Sequence, residues 1–501
     1  EVINSCLNLL QIDLSSNRIY RLPESINNLT KLAKLNLAFN NLKVIPHLTY
    51  MSSLRTINLK DNLINSFNAS SKTLQYVYLN DNKISSFEDE LPNLRTLELE
   101  KNPLTSVYFK ENYMNNLTTL TLSKANLTIV PSIIWKKFIK LKNLDLNENN
   151  LTQISEAIGN LTYLTNLSCN RNKLEKIPKN IVNLKNLKVL DLHSNNITDI
   201  ISGFVNLELT TLNLSSNALG PWQTSLLEEV NENSPLVQSL IFLSLADNRL
   251  NNDSYLWLKT FTKLRYLNLS YNFFNDLLPN SFDNMLELYL SGNLLTAVPG
   301  EFIVSMKKLR ILMLNSNKIH TLPAELSLLR ELSVLDCSNN LLKYNISNYL
   351  YDYNWLQNEE LRYLNFSGNK RFEIADSVIN NINYADLTKL PKLLVLSLMD
   401  VTLKTSRIPD EDFNLRLRTT ESKVNNMAYG VADSLGLRSF VNYRDNSVQR
   451  FRGKIDESLL ILTDGKNEIS NTSNKLPKLL RDMYPTILSR MLEKYGDSSE
   501  K

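Results

Sequence analysis

The sequence predicts an α/β solenoid of about seventeen stacked repeats with a parallel sheet on its concave side, followed by a shorter segment of different design. Three observations predict it. A leucine pattern recurs along most of the chain, an asparagine holds one fixed place in nearly every copy, and the period is lost by residue 408. Because a single copy cannot bury its own leucines, neighbouring copies must stack into one continuous core.

The repeated motif is LxxLxLxxNxL, with clean copies that begin at Leu32, Leu94, Leu141 and Leu309. This motif, at steps of mostly 20 to 24 residues, is typical of leucine-rich repeats. The marker asparagine falls at residues 17, 40, 62, 82, 102, 149, 172, 195, 217, 248, 272, 293, 317, 340 and 369, and Ala125 and Val401 take its place in two further copies. Residues 1–408 are therefore predicted to form a leucine-rich-repeat solenoid.

The residue types follow from the geometry of such a repeat. Side chains alternate along a strand, so the leucines of LxL point into the core and the residues between them line the concave face. The marker amide is expected to bond backbone groups of adjacent turns, each of which would cost about 1–3 kcal/mol if buried unpaired. Prolines that follow an apolar residue, as at Pro23 and Pro178, suit an extended or turning return segment.

Composition and charge narrow the class of protein. The chain has 501 residues, 43% hydrophobic and 21% charged, which is ordinary for a globular protein. Its net charge of +4 is too small for this length to indicate binding to nucleic acid or to an anionic membrane. No apolar run is long enough to span a bilayer. The first residues already lie within the repeat pattern and lack a basic signal-peptide region, so we expect a piece of a longer chain.

The three cysteines are Cys6, Cys169 and Cys337. They are too few and too far apart in sequence for a disulfide framework, and no CxxC pair is present for zinc. Cys169 and Cys337 stand where sister copies carry leucine, so they are predicted to be buried thiols in a reducing, cytoplasmic compartment.

Catalytic motifs are absent from the repeats. The three histidines, His47, His193 and His320, are isolated from other candidate ligands, and no HExxH, GxxxxGK[ST], GxGxxG or GxSxG sequence occurs. No catalytic residue and no cofactor are therefore expected in the solenoid, which is interpreted as an interaction module.

Candidate partner-binding residues come from the positions that face the concave side. They are Lys60, Asp61, Asp81, Glu98, Glu100, Lys101 and Arg171, together with Tyr76, Tyr78, Tyr266 and Tyr289. Tyrosines on a polar surface are typical anchors for a protein partner. The alternative interpretation is that these side chains only cover a solvent-facing sheet.

The residues after 408 have a different sequence pattern from the repeats. Residues 409–426 are polar and mixed in charge, as in a linker or an exposed edge segment. Residues 427–501 contain short predicted strands in "MAYGVADSLG", "SVQRFRGK" and "ESLLILTDG". A helix is predicted in "NKLPKLLRDMYPTILSRMLEKYG", kinked or split at Pro485.

Residues 427–501 resemble the truncated beginning of the α+β metal-dependent phosphatase domain of type 2C. The resemblance implies that Asp456 in "KIDESL" and Asp464-Gly465 in "LTDGKN" match residues that hold two divalent metal ions. The family continues Asp-Gly-His-Gly-Gly, whereas Lys466-Asn467 follow here, and its remaining carboxylates would come from beyond Lys501. A vestigial metal site is the resulting expectation.

The repeats with their leucine-proline signature, followed by "YGVADSLG" and "RFRGKIDESLLILTDG", resemble the middle of fungal adenylate cyclases of budding-yeast type. The resemblance implies that the repeats bind a GTP-loaded Ras-type small GTPase. It also implies that the whole protein converts ATP to cyclic AMP in a further domain that uses Mg²⁺. A cytoplasmic location, peripheral to the inner face of a membrane through Ras, is the corresponding expectation.

Two alternatives stay open at this point. One is a leucine-rich-repeat metal-dependent Ser/Thr protein phosphatase, which joins the same two modules. The other is a generic intracellular repeat adaptor with an unrelated tail. Lys466-Asn467 after the Asp-Gly pair favours the regulatory region of a cyclase over the phosphatase.

Overall fold

The structure is a computed structural model that describes residues 6–104, 106–107, 114–220, 229–278, 282–343, 353–376, 378–379, 382–383, 386–405 and 407, and in the tail residues 415–419, 430–434, 443–449, 458–464 and 487–488. It divides into two compact units, Glu1–Ile319 and His320–Lys501.

The first unit contributes one short strand per repeat to a parallel sheet, and two of its repeats contain a further two-residue strand, Ser86–Phe87 or Ser106–Val107. Its strands are β1 (Gln11–Asp13), β2 (Lys34–Asn36), β3 (Thr56–Asn58), β4 (Tyr76–Tyr78), β5 (Ser86–Phe87), β6 (Thr96–Glu98), β7 (Ser106–Val107), β8 (Thr119–Thr121), β9 (Asn143–Asp145), β10 (Asn166–Ser168), β11 (Val189–Asp191), β12 (Thr211–Asn213), β13 (Phe242–Ser244), β14 (Tyr266–Asn268), β15 (Glu287–Tyr289) and β16 (Ile311–Met313). All but β5 and β7, which pair with each other, lie side by side in parallel. Neighbours keep one register, so Leu167 lies between Leu144 and Leu190.

Short helices connect these strands. The α-helices are α1 (Ser132–Lys137), α2 (Pro235–Ser239), α3 (Tyr255–Leu258) and α4 (Gly300–Val304), and the 3₁₀ helices are Glu24–Asn28, Glu156–Asn160, Lys179–Asn183, Phe204–Asn206 and Asn252–Ser254. Pro23, Pro131, Pro178 and Pro299 each stand directly before such a helix. Proline suits this place because its φ is fixed and the chain turns there from an extended segment. A proline that follows an apolar residue therefore marks where four of these return helices begin.

The core consists of the motif leucines. Leu97, Leu99, Leu120 and Leu122, from two neighbouring copies, are completely buried. Cys169 and the second unit's Cys337 are also completely buried, as predicted. Burial raises the pKa of the Cys169 thiol above its usual value, so this group stays protonated and behaves as a small apolar side chain.

The marker asparagines tie each repeat to the one before it. Asn62 Nδ2 donates to Leu37 O at 3.0 Å and to Leu59 O at 3.1 Å, and its Oδ1 accepts from Leu42 N at 3.0 Å. The same three bonds recur at Asn40, Asn82, Asn102, Asn149, Asn172, Asn195, Asn217, Asn248, Asn272, Asn293 and Asn317. The predicted pairing of the marker amide with backbone groups is confirmed.

The residue before the marker turns the chain out of the strand. It has a left-handed backbone, with φ of 53° at Asp61, 56° at Asp81 and 50° at Arg171. Gly292 holds this place in one repeat with φ of 65°, and a Cβ there would lie 2.6 Å from Cδ1 of Tyr271. The left-handed conformation favours glycine but is held by other residues in the other repeats, so the close approach of the Tyr271 ring is what distinguishes this position.

The strands of the second unit are β17 (Val334–Asp336), β18 (Tyr363–Asn365), β19 (Glu373–Ala375), β20 (Val378–Ile379), β21 (Ile382–Asn383), β22 (Val395–Ser397), β23 (Thr402–Lys404), β24 (Leu415–Thr419), β25 (Gly430–Ser434), β26 (Tyr443–Gln449) and β27 (Ser458–Asp464), and its 3₁₀ helices are Ala324–Leu328, Trp355–Gln357 and Leu387–Lys389. The parallel pairs are β17–β18, β18–β22 and β19–β23. The antiparallel pairs are β20–β21, β24–β25 and β26–β27.

Three tail elements meet their sequence predictions. Strands β25 and β27 fall in "MAYGVADSLG" and "ESLLILTDG", and β26 ends in "SVQRFRGK". Strand β24 lies inside residues 409–426, where a linker or exposed edge segment was expected, and pairs with β25. Of the predicted C-terminal helix, residues 487–488 are described and are helical.

Candidate protein-interaction face

The candidate site is the open face, which we define as the side of the first unit's sheet that carries the first and third residue of each strand. Tyr76 and Tyr78 flank the buried Val77, and both rings are half-buried on this side. Glu98, Tyr266 and Tyr289 occupy the same kind of position on β6, β14 and β15. The alternation of a strand thus displays these predicted residues together on one surface.

The predicted residues after the strands form ion pairs across repeats. Lys101 Nζ lies 3.0 Å from Asp81 Oδ1, and this hydrogen bond and the charge of Asp81 raise the pKa of Lys101. Of the other predicted residues, Lys60 is half-buried and Asp61 is exposed, one repeat before Asp81. Glu98 Oε2 accepts a hydrogen bond of 2.7 Å from Asn80 Nδ2.

A second chain of charges runs through Lys124, which the sequence interpretation did not include. Lys124 Nζ lies 3.8 Å from Glu100 Oε1 and 3.2 Å from Glu148 Oε1, and Arg171 extends the chain at 3.9 Å from Glu148 Oε2. Lys124 directly precedes Ala125, which takes the place of a marker asparagine, and its position within the repeat is the signal that could have identified it. Exposed pairs of this kind contribute about 0–1 kcal/mol each, so they orient side chains more than they stabilise the fold.

The middle of the open face is a network of short polar side chains. Ser168 Oγ donates to Asn147 Oδ1 at 2.7 Å, and Asn170 Nδ2 donates to Asp191 Oδ2 at 2.9 Å. His193 Nδ1 lies 2.7 Å from Asp191 Oδ1. Because these groups are already paired with one another, a partner gains little by contacting them.

The next part of the open face is an aromatic cluster, defined here as Phe242, Tyr266 and Tyr289. The rings of Phe242 and Tyr266 stack with centroids 4.0 Å apart and planes 10° apart, and Tyr289 lies 5.1 Å from Tyr266. Tyr289 donates a hydrogen bond of 2.8 Å to Glu287 Oε2. Burial raises the pKa of both tyrosines, so they remain neutral and present large apolar surfaces at neutral pH.

Tyr76 and Tyr78 lie on β4, far along the sheet from that cluster. Burial, and next the charge of Glu98, raises the pKa of Tyr78. The four predicted tyrosines therefore form two separate sites on the open face, one beside the ion pairs and one in the aromatic cluster. The sequence prediction placed them in one set because it grouped residues by type and by their position within a repeat.

The predicted metal residues are only partly described. Asp464 is the last residue of β27 and lies opposite Tyr443 of β26, whereas Asp456 and Gly465 lie outside the described residues. Among the residues that the structure describes, no three His, Cys, Asp or Glu side chains are grouped to hold a metal ion. The described part of the chain also contains no helix long and apolar enough to cross a membrane.

Comparison with known proteins supports the fold. A family model described as Leucine rich repeat matches residues 162–219 and 283–342, and a second matches residues 140–161 and 263–285. The solved leucine-rich-repeat protein LIC12759 of Leptospira interrogans aligns with a TM-score of 0.66 at 28% identity, over 79% of this chain and 97% of that one. YopM of Yersinia enterocolitica aligns with a TM-score of 0.57 at 20% identity, over 80% of this chain and 77% of that one. The predicted leucine-rich-repeat solenoid with a long parallel sheet is confirmed.

Similarity in sequence points to a narrower group of proteins than similarity in fold does. The chain is 51% identical to an adenylate cyclase of Lachancea kluyveri over 456 residues, which cover 90% of this chain and 25% of that protein. It is 35% identical to one of Podospora anserina over 51% of this chain and 12% of that protein, and 26% identical to one of Schizosaccharomyces pombe over 86% and 26%. The chain thus spans about a quarter or less of the curated relatives it matches. Over most of its length, including its leucine-rich repeats, this chain is therefore similar to a portion of fungal adenylate cyclases.

Proposed function

We propose that this chain is the regulatory protein-interaction region of an adenylate cyclase, and that its open face binds a Ras-type small GTPase in the GTP-bound form. The observation that carries the proposal is the 51% identity to an adenylate cyclase over 90% of the chain. Conversion of ATP to cyclic AMP is proposed for the longer protein. No residue of this chain is assigned to catalysis, and Mg²⁺ is assigned to the cyclase domain.

The aromatic cluster is the proposed source of affinity. Phe242, Tyr266 and Tyr289 are half-buried in the free chain, so each keeps a solvent-facing surface that a partner can cover. Stacked rings have few rotatable bonds and are already held in place, so little conformational entropy is lost on binding. Interfaces draw most of their binding energy from a few such residues.

The ion-paired residues are the proposed source of selectivity. Asp81 with Lys101, and Glu100 with Lys124, place both signs of charge on adjacent repeats. Charges at the rim of an interface mainly set association rate and partner choice. A GTPase that binds here must present the opposite pattern of charges.

Capture of GTP-loaded and GDP-loaded Ras-type GTPase by the full chain tests this proposal. We expect selective capture of the GTP form, and a loss of that capture in the double variant Glu98→Lys with Glu100→Lys. These changes reverse two charges of the open face, where Glu98 accepts a hydrogen bond from Asn80 and Glu100 pairs with Lys124. The matched control is Glu24→Lys with Glu301→Lys, which reverses two charges in the helices that connect the strands. Equal capture of the GTP-loaded and GDP-loaded forms would contradict the proposal that the partner is a GTP-bound Ras-type GTPase. Equal loss in both double variants would contradict the assignment to the open face.

A further inference from the structure

One residue per repeat lies immediately before the first strand residue, and the backbone stacks these residues in a continuous row. Arg55 N donates to Ala33 O at 2.9 Å, and Gln75 N donates to Arg55 O at 2.8 Å. The same bond joins each later member to the one before it. The N-terminal row, as we define it, consists of Ala33, Arg55, Gln75, Arg95, Thr118, Lys142, Thr165, Lys188, Thr210, Ile241, Arg265, Leu286 and Arg310.

The N-terminal row is basic and contains no acidic residue. From Arg55 to Lys188 a cation alternates with an uncharged residue at every step. Arg55, Arg95 and Lys142 are exposed and form no ion pair with any carboxylate in the described part of the chain. Lys188 lies 2.9 Å from Glu208. Among the described residues, three of the four cations from Arg55 to Lys188 are therefore not ion-paired.

A second line of residues, each two positions before a member of the N-terminal row, adds positive charge to this edge of the sheet. It includes Lys31, Lys140, Lys263 and Lys308, with Glu208 as the one carboxylate among the described residues at these positions. Lys31 and Lys140 donate to asparagines of the preceding repeat, each at 2.7 Å, and these acceptors are neutral amides rather than carboxylates. The opposite edge, where Asp81 pairs with Lys101, mixes both signs.

The spacing within the row selects an extended ligand. Adjacent strands lie about 4.8 Å apart, so cations on alternate strands are about 10 Å apart, and Arg55 to Lys188 spans about 29 Å. A polyproline II segment is extended, rises about 3.1 Å per residue and has three residues per turn, so acidic residues at every third position lie on one side of it and repeat at about the same interval. The backbone hydrogen bonds fix the spacing before any ligand binds, which lowers the entropic cost of binding.

We propose that the N-terminal row binds an extended acidic segment of a partner protein that carries a carboxylate at about every third residue. The proposal stands on the charge and spacing of this edge and is independent of the GTPase assigned to the open face. Nucleic acids and anionic lipid surfaces share the negative charge but do not require this interval.

Fluorescence anisotropy with two labelled peptides tests the spacing. The first has ten residues, with glutamate at positions one, four, seven and ten and serine elsewhere, and the second has the same composition with its glutamates contiguous. We expect the full chain to bind the spaced peptide about fivefold more tightly, with an affinity that falls between about 50 and 300 mM salt. Equal binding of the two peptides would overturn the proposal.

Matched triple variants locate the site. Arg55→Gln, Arg95→Gln and Lys142→Gln together are expected to weaken binding of the spaced peptide about tenfold. The control removes three cations from the opposite edge, by Lys60→Gln, Lys101→Gln and Arg171→Gln, and is expected to bind as the unchanged chain does. Equal losses in the two triple variants would refute the assignment.

A gain-of-charge variant keeps the proposal testable if the first triple variant is poorly folded. Gln75→Arg, Thr118→Arg and Thr165→Arg fill the uncharged places of the row, so the contiguous peptide is expected to bind as tightly as the spaced one. An unchanged preference would contradict the spacing argument. Row-dependent binding to phosphatidylserine vesicles or to a single-stranded oligonucleotide, with no binding of either peptide, would overturn the choice of ligand.

Discussion

Replacement of Asn195 by alanine is expected to lower the free energy of unfolding by about 2–4 kcal/mol. The side chain makes three buried bonds: Nδ2 donates to Cys169 O at 3.0 Å and to Leu192 O at 2.9 Å, and Oδ1 accepts from Leu174 N at 3.0 Å. Alanine removes all three and leaves the backbone where it is.

The size of the loss in stability depends on which backbone groups lose their last hydrogen bond when the Asn195 side chain is removed. Cys169 O also accepts from Asn172 Nδ2, and Leu192 O also accepts from Asn217 Nδ2, each at 3.1 Å. Both carbonyls therefore remain paired, because each is shared by two successive asparagines. The Leu174 N–H is left buried without an acceptor, which costs about 1–3 kcal/mol, and the two weakened carbonyls add the rest.

Ala125 shows how the same fold accommodates a missing asparagine. In that copy the corresponding donor, Leu104 N, bonds instead to Asn102 O at 2.8 Å. If the turn at Leu174 could adopt this arrangement, Asn195→Ala would cost little.

Urea unfolding of the purified chain measures this effect. The matched control is Asn186→Ala, which removes an exposed side chain that donates to Thr162 O at 2.8 Å, and it is expected to change stability by no more than about 0.5 kcal/mol. An Asn195→Ala chain as stable as the control would refute the shared-carbonyl reasoning.

Three further predictions concern single sites. Gly292→Ala is expected to lower the free energy of unfolding, measured thermally, by about 1–2 kcal/mol, because alanine is strained at this φ and its Cβ meets the Tyr271 ring. Adding Tyr271→Ala should restore part of that loss. An unchanged stability of Gly292→Ala would contradict the close approach. Burial raises the pKa of Asp145 above its usual value, so the ionised carboxylate destabilises the fold at pH 7. Asp145→Asn should therefore raise the melting temperature at pH 7, and the difference from the unchanged chain should shrink as the pH falls toward the carboxyl's usual pKa. A difference that does not depend on pH would argue against this cause. The chain is expected to show no manganese-dependent phosphatase activity, and turnover of nitrophenyl phosphate that Asp464→Asn abolishes would overturn that expectation.

The repeat itself could be predicted from the sequence because its signal is local. Leucine spacing of two fixes which side chains are buried, and the marker asparagine fixes where the strand ends, so the bonding of Asn62 was foreseeable. The inward leucines and the half-buried Tyr76 and Tyr78 of the open face follow from the same alternation.

Contacts between repeats could not be predicted as well, because repeat length varies. Ile241 follows Thr210 by 31 residues, yet the two are adjacent members of the N-terminal row. The stacking of Phe242 on Tyr266 and the bridge from Glu100 through Lys124 depend in the same way on which strands are neighbours. The position of Asp456 is harder still to predict, because the tail has no repeat period from which it could be inferred.

Calorimetric titration of the full chain with a Ras-type GTPase, loaded with a non-hydrolysable GTP analogue or with GDP, tests the central claim most directly. The control variant replaces Tyr20 and Tyr50, two exposed tyrosines between strands, by alanine. We predict saturable binding of the GTP form, a loss of about tenfold or more in affinity for Tyr266→Ala with Tyr289→Ala, and no loss for the control. No binding of the GTP form, or equal affinity in both variants, would contradict the proposal that the open face is a regulatory GTPase-binding surface.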